Sequence, residues 1–557
     1  MKYTNSQLAR NCFKILLAFL LASIPSVYSS SKISKNTIPT NWQVKYQPKN
    51  NSWQKVKQNF YYYAVDPETL DPALITGSNE MRMAEALFEG LLTYDPKTLE
   101  ARPGVASSWT VQNEGKLYTF TIRKNALWSD GTKLTSHDFY HSWQRVLEAK
   151  TAASYAMQLY PIDGAEKYHK GQIKDFKKVG ISCPDKHTLV VRLKQACPYF
   201  TDLAAFVTLY PTPIHVIQKY GDRWVRPEHI VSNGPFILKD WQHRQKLIMQ
   251  KSSHYWAKEN VKLNHVTALL QSDLETAYKL FLKGQLHWMD DIPLDKLEEL
   301  LYRPEYYVMP FLGVYFYRFN VNKVPFNDSR VRRAFSLAID RLSITQQVTK
   351  AGQRPHSHFC PPMNDFTAIT GPAHNPQKAR MLLEQAGYGK GGKVFPEVEL
   401  LYNTSEGHKK IAEAIVQQWE DELGVQVSLR NSEWKVFLND MKQMNYDICR
   451  SSWIGDYADP NTYYDLFITD GGNNRTGWSH EVYDDLLKKS TYTSNPSLRI
   501  SYFQQMEKIL SHEENPIIPI YQYVNQGLLQ QNVNGWYVNN RDIHPFKYIW
   551  LDRELAK

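Results

Sequence analysis

The stretch SSWIGDYADPNTYYD, residues 451–465, runs an apolar pair, Trp453 and Ile454, into a glycine and then a carboxylate, Asp456. No partner base, thiol or metal-ligand cluster accompanies that acid, so the chemistry on offer is recognition rather than bond-making. A buried cation must be paired, and a carboxylate is a suitable acceptor for it. Two unit charges 4 Å apart attract by about 4 kcal/mol at an effective dielectric near 20, before desolvation is subtracted. Period-two spacing sets Arg450, Ser452 and Ile454 on one face of the run leading to Asp456. The backbone of such a strand can hydrogen-bond an extended ligand as an added strand, and Arg450 is chemically suited to a carboxylate.

Other motifs carry less. GYGKGGKV at 387–394 opens like a phosphate-binding loop, but Val394 stands where a magnesium-binding hydroxyl is needed and a helix precedes it, so it reads as a helix-ending turn. HSHFC, His356 to Cys360, has metal-capable residues but no second pair, and reads as a surface loop. There is no G-x-S-x-G elbow and no H-E-x-x-H. No cofactor is called for, and the chain is not expected to be an enzyme.

Those residues must be positioned by a long chain. Its 557 residues suffice for two or three domains, and 42% hydrophobic with 22% charged residues is ordinary globular composition. Aromatics reach 13%, a skew that suits surfaces gripping ligands through flat, amphipathic rings as well as large cores. The net charge of +10 is scattered among acids, which argues against a nucleic-acid site. Lys2, Arg10 and Lys14, the apolar run Ile15 to Ile24, and Pro25 with small residues after it have the layout of a secretory signal peptide, 1–29. The expected location is therefore the periplasm, with an uncleaved N-terminal anchor as the alternative. Cys183, Cys197, Cys360 and Cys449 are too few for a disulfide scaffold, and no bridge is expected between the first two.

Residues 30–57 are polar and read as a linker. NFYYYAV reads as a strand, NEMRMAEALFEGLL and TSHDFYHSWQRVLEA as helices, and KLYTFTIRK and KHTLVVRLK as strands. After about 312, GVYFYRFNV, EVELLYN and VQVSLRN alternate with helical stretches such as GHKKIAEAIVQQWEDEL, which reads as α/β.

Several segments together resemble the oligopeptide-binding proteins of ABC importers, in extracytoplasmic solute-binding family 5 (peptide/nickel-binding type). They are TLDP with EALFEGLLTYDP, RPGVASSWTV with YTFTIRKNALWSDGT, HDFYHSWQRV, SNGPFILKDW, PFNDSRVRRAFSLAIDR, LLYNTSEGHKKIA and EWKVFLNDM with YDICRSSWIGDYADP, in the family's order from about Asn59 onward. The resemblance implies an α/β, two-lobed periplasmic-binding-protein fold with an additional domain beside the first lobe. Lobe I would comprise 58–90, 211–311 and 523–557, the extra domain 91–210, and lobe II 312–522. It implies a receptor that captures short peptides in the interlobe cleft and delivers them to an ABC importer permease in the cytoplasmic membrane, acting as a monomer. A same-fold receptor for cell-wall muropeptides or another small solute is the alternative, ahead of a secreted hydrolase or a surface adhesin.

By the same resemblance Asp456 meets the peptide's α-ammonium group and His408 lies near its C-terminal end, with a solvated helix-start histidine the alternative. Arg450, assisted by His408 when protonated, is then expected to receive the peptide's carboxylate. Trp434, Trp453, Tyr155 and Ser78 line or neighbour the pocket, with core packing the alternative for each aromatic. Two positions depart from the family pattern. Relatives carry a cysteine pair at the positions of Gly313 and Ile454, and an arginine sometimes found after the EWKVFL helix is Met441 here, with Lys442 next to it.

Overall fold

The near-continuous apolar run Tyr306–Phe319 forms a single 14-residue strand that is buried on both faces. In the computed structural model, which describes residues 54–554 apart from Ser272, Asn364, Asp365, Lys390 and Ser494 and the side chains of Leu294, Trp434, Lys435 and Tyr492, that strand is central to an eleven-stranded sheet. The expected signal segment and all but the last few residues of the expected linker lie outside the described residues. From one edge the sheet runs Val427–Ser432, Val398–Asn403, Ile448–Ile454, Tyr306–Phe319 and Ile517–Leu529. It continues through Trp288–Met289, Asn59–Ala64, His265–Leu270 and Lys246–Lys251 to Phe236–Gln242, and the short strand Arg354–Pro355 pairs with Ile517–Leu529.

Alternation along Tyr306–Phe319 explains the layers. Tyr315, Tyr317 and Phe319 join Ile448 in one core, under the helices Ser329–Leu337 and Glu406–Leu423. Leu312, Val314 and Phe316 point the other way, into a second core with Tyr463, Phe467 and Phe503. The antiparallel pairing with Ile517–Leu529 breaks register between Pro310 and Val314, an irregularity that bends a ladder and increases its twist. A separate four-stranded antiparallel sheet, Ala106–Gln112, Leu117–Ile122, Thr188–Arg192 and Ile181–Asp185, packs with the helix Ser136–Leu147. That helix starts on a capping box in which Thr135 and Asp138 satisfy each other's exposed amides.

The GYGKGGKV stretch follows the helix Pro376–Gln385, with Gly387, Gly389 and Gly391 all at positive φ. The HSHFC segment, expected on the surface, is instead buried: Phe359 and Cys360 are fully enclosed and His356 is 5% exposed. The reason is Glu507, a carboxylate with no exposed surface that accepts the amides of Phe359 and Cys360 at 2.7 and 3.2 Å, together with the hydroxyls of Tyr464 and Ser511. Among the described residues no group of three metal-capable side chains assembles. Cys183, Cys197, Cys360 and Cys449 are free thiols. No helix among the described residues is long and apolar enough to cross a membrane.

Candidate functional site

Gly455 carries the chain from the strand Ile448–Ile454 to Asp456. A Cβ at Gly455 would stand 3.1 Å from the Tyr463 hydroxyl and from Thr462 Cγ2, so the backbone runs close against the helix Asn461–Tyr464. That proximity lets the Asp456 amide donate to Thr462 Oγ1 at 3.2 Å. The Tyr155 hydroxyl donates to Asp456 Oδ1 at 3.4 Å. Arg541 donates to the Asp456 carbonyl at 3.0 Å and not to its carboxylate. Burial raises the Asp456 carboxyl to about 6, with the Arg541 charge and the Tyr155 hydrogen bond pulling the other way.

The carboxylate opens onto a cavity of about 280 Å³ whose lining includes Tyr155, Gln158, Tyr199, Trp453, Asp456 and Asp465. One wall comes from residues 155–203 and the other from 453–491. Tyr199 and Tyr457 join those walls as a stacked pair, ring centres 4.3 Å apart and 8° from parallel. A larger and more open groove of about 530 Å³, beside Lys57, Lys251 and His265, contains none of the predicted site residues.

Arg450 and His408 belong to a second cluster. The Arg450 guanidinium lies over the Tyr315 ring at 4.8 Å and donates to the Tyr523 hydroxyl at 2.8 Å and to Asn403 Oδ1 at 3.4 Å. It is 7% exposed, and among the described residues its Nε has no protein partner and no carboxylate bonds it. His408 sits in the first turn of the helix Glu406–Leu423, where Ser405 Oγ accepts its amide at 3.4 Å. Its Nδ1 lies 3.5 Å from the Tyr315 hydroxyl. Burial first, and the Arg450 charge second, lower the His408 imidazole to about 3. The expectation that His408 assists as a protonated group is therefore corrected, because a buried imidazole beside a guanidinium stays neutral. The Arg450 guanidinium is held against Tyr523 and Asn403.

Tyr155, Trp453 and Asp456 thus share one cavity, while Arg450 and His408 share another cluster. Ser452 and Ile454 pair across the strands with Tyr315 and Gly313, on the Arg450 side. Ile454 is half exposed. Ser78 is exposed at the first position of the helix Ser78–Leu87 and does not line the cavity. Trp434 opens the helix Trp434–Lys442, but its side chain lies outside the described ones. Met441 is buried against Leu401 and Phe437. Sequence reasoning missed Gln158, Tyr199, Asp465 and Arg541. Asp465 was within reach, nine positions after Asp456 in the same stretch; Arg541 carried no signal, being brought to Asp456 by tertiary folding alone.

The family model for bacterial extracellular solute-binding proteins, family 5 middle, matches residues 100–475. The chain belongs to this family. The family 5 protein is 35% identical over 489 residues to the periplasmic murein peptide-binding protein MppA of Escherichia coli K12, covering 85% of this chain and 89% of that protein. It is 33% identical over 481 residues to the periplasmic oligopeptide-binding protein OppA of Salmonella typhimurium LT2, covering 84% and 88%. A crystal structure of the periplasmic oligopeptide-binding protein OppAIV of Borrelia burgdorferi superposes with a TM-score of 0.78 at 33% identity, covering 89% of this chain and all of that one. The fold is therefore the two-lobed α/β fold of family 5, and this family 5 protein is a solute-binding protein and not a hydrolase.

Proposed function

We propose that this protein is an extracytoplasmic receptor that encloses short peptides between its lobes and delivers them to an ABC importer permease. Asp456 carries the reading. It is a largely buried carboxylate that faces a cavity and accepts only a tyrosine hydroxyl, with no lysine or arginine bonded to it among the described residues. A peptide α-ammonium group is the cation such a site lacks. Arg450 offers the complementary arrangement for the far end, a buried guanidinium bonded, among the described residues, to neutral groups. A generic peptide receptor has no fixed side chain to recognise, so it holds what peptides share: two charged ends and a backbone.

The two relatives cited above are named for a murein peptide and for oligopeptides, which keeps muropeptides within the same reading. The lobes would be 58–90 with 211–311 and 523–557, and 312–522, with 91–210 as the extra domain. The register break between Pro310 and Val314 supports a hinge at the first crossing. Closure would draw its energy from ligand contacts made only in the closed state. Export by the segment 1–29 to the periplasm and action as a monomer complete the proposal. Native mass spectrometry of the purified protein tests it: a ladder of carried-over peptide masses is expected, and ligand-free protein that also ignores added tri- and tetrapeptides would overturn it.

A further inference from the structure

The Asp456 cavity holds more carboxyl groups than one ammonium group needs. Asp465, at the C-terminal end of the helix Asn461–Tyr464, lines the same cavity and is open to it. Its Oδ2 accepts the Asn461 side-chain amide at 3.2 Å, and no cation pairs with it among the described residues. Two other acids nearby are already matched. Asp459 is held by both terminal nitrogens of Arg499 at 2.6 and 2.8 Å, and Asp202 lies 3.6 Å from Arg541. Lys194 stands at the exposed rim, 3.6 Å from Glu166. Asp456 and Asp465 therefore remain as two carboxyl groups facing one space without a cation among the described residues. Burial first, and the Asp456 charge second, push Asp465 up to about 8, so a second cation entering beside it is what would stabilise its ionised form.

Gln158 supplies a second, independent observation. It is 6% exposed, it lines the cavity, and among the described residues neither its Oε1 nor its Nε2 has a protein partner. A buried amide without partners costs free energy unless something fills the space it faces. Its carbonyl can accept from a cationic group, and Tyr199 and Tyr457 place aromatic surface beside it, which suits the aliphatic stem of a long cationic side chain.

Resting on the peptide-receptor reading, we infer that this cavity prefers peptides whose first residue bears a second positive charge: Asp456 takes the α-ammonium, and Asp465 with Gln158 takes the cationic side chain. The substrate class is narrowed to peptides with lysine, arginine or a related diamino acid at the amino end. The rest of the peptide is left unspecified.

Calorimetry with Lys-Ala-Ala, norleucine-Ala-Ala and Ala-Lys-Ala at fixed ionic strength tests this on wild type, Asp465→Asn and Asp456→Asn. Norleucine matches the lysine stem without its charge. Wild type should bind Lys-Ala-Ala at least tenfold more tightly than either comparison peptide. Asp465→Asn should bring the lysine and norleucine peptides within about twofold while keeping norleucine-Ala-Ala near its wild-type affinity, which also shows that the variant folds. Asp456→Asn should weaken all three. Equal binding of all three peptides by wild type overturns the inference and leaves the peptide receptor standing, whatever the variants do. An equal loss of lysine and norleucine peptides in folded Asp465→Asn also overturns it, because Asp465 would then serve the α-ammonium. Failure of wild type to bind any of them overturns the inference and the receptor reading together.

Discussion

Asp456 costs the unliganded protein stability that the ligand restores. Its carboxyl is raised to about 6 from an ordinary 3.8, chiefly by burial, so the folded state holds a proton that the unfolded chain has released. A raised acid makes stability fall as pH rises from about 3.8 to 6, and the deficit is fully present above that range. Two units correspond to roughly 3 kcal/mol at most, and water in the cavity reduces that to about 1–2 kcal/mol. Asp456→Asn should therefore be more stable than wild type without ligand at pH 7.5, by about 1–2 kcal/mol in denaturant titrations, with the advantage shrinking as pH falls below 6. The same variant should lose about 2 kcal/mol or more of peptide affinity, as when one partner of a buried charge pair is removed. A ligand-free Asp456→Asn that is less stable than wild type at pH 7.5 would show that the carboxylate is already compensated. His408, lowered to about 3, stays neutral through this range, so affinity lost below pH 6 falls to the raised acids Asp456 and Asp202, and the part that disappears in Asp456→Asn belongs to Asp456.

At the scale of elements, the strand Ile448–Ile454 is fixed by its antiparallel ladder with Tyr306–Phe319, and the ladder's last partners are Gly313 and Ile454. Directly opposed residues on antiparallel strands have Cα atoms about 4.5–5.5 Å apart, within the range a disulfide spans. The double variant Gly313→Cys with Ile454→Cys should therefore oxidise to a bridge, seen as two fewer thiols by titration. Replacing Ile454 also removes one of the atoms closest to a new Cβ at 313, Ile454 Cγ1 at 3.3 Å, leaving Tyr523 at 3.1 Å and Phe311 at 3.3 Å to shift slightly. The bridge should raise unfolding stability by about 2–4 kcal/mol, reversed by dithiothreitol. Thiols that remain titratable in the oxidised variant would mean the pair is held out of register. This ladder also shows what the sequence made legible. Strands and helices with strong period, such as Val398–Asn403 and Glu406–Leu423, stand where alternation and caps put them. The facing of Arg450, Ser452 and Ile454 followed from period two alone, as did the join from strand to Asp456. HSHFC was misread because its burial depends on Glu507, about 150 residues away, and polar composition says nothing about a distant carboxylate. The charge state of His408 was misread for a similar reason, since burial in the tertiary fold and the charge of Arg450 set it.

At the scale of the molecule, Arg541 ties together parts that are far apart in sequence. Its guanidinium reaches the Asp456 carbonyl at 3.0 Å, lies over the Tyr94 ring at 4.5 Å, and stands 3.6 Å from Asp202. One buried cation thus joins the C-terminal segment, the region from 91 to 210 and the loop that carries Asp456. It also acts on Asp456 through space, holding that carboxyl lower than burial alone would set it. Arg541→Gln keeps a hydrogen-bond donor but removes the charge, so the Asp456 carboxyl should climb above its present value of about 6. Ligand binding needs Asp456 ionised, and the midpoint of affinity against pH should move upward by about half to one unit. Asp202, itself raised to about 6 by burial against the pull of Arg541, loses its partner in the same change. Removing one member of a buried pair costs about 3–5 kcal/mol, so the variant should also melt earlier. The two effects separate in calorimetry at 15 °C from pH 5 to 8 with norleucine-Ala-Ala, where the variant should remain folded and the peptide's one cationic group is its α-ammonium. An affinity profile with the wild-type midpoint, together with lower thermal stability, would reduce Arg541 to a structural tie. A shifted midpoint makes the tie part of the recognition site, because the same charge that joins the segments also sets when Asp456 can hold a peptide.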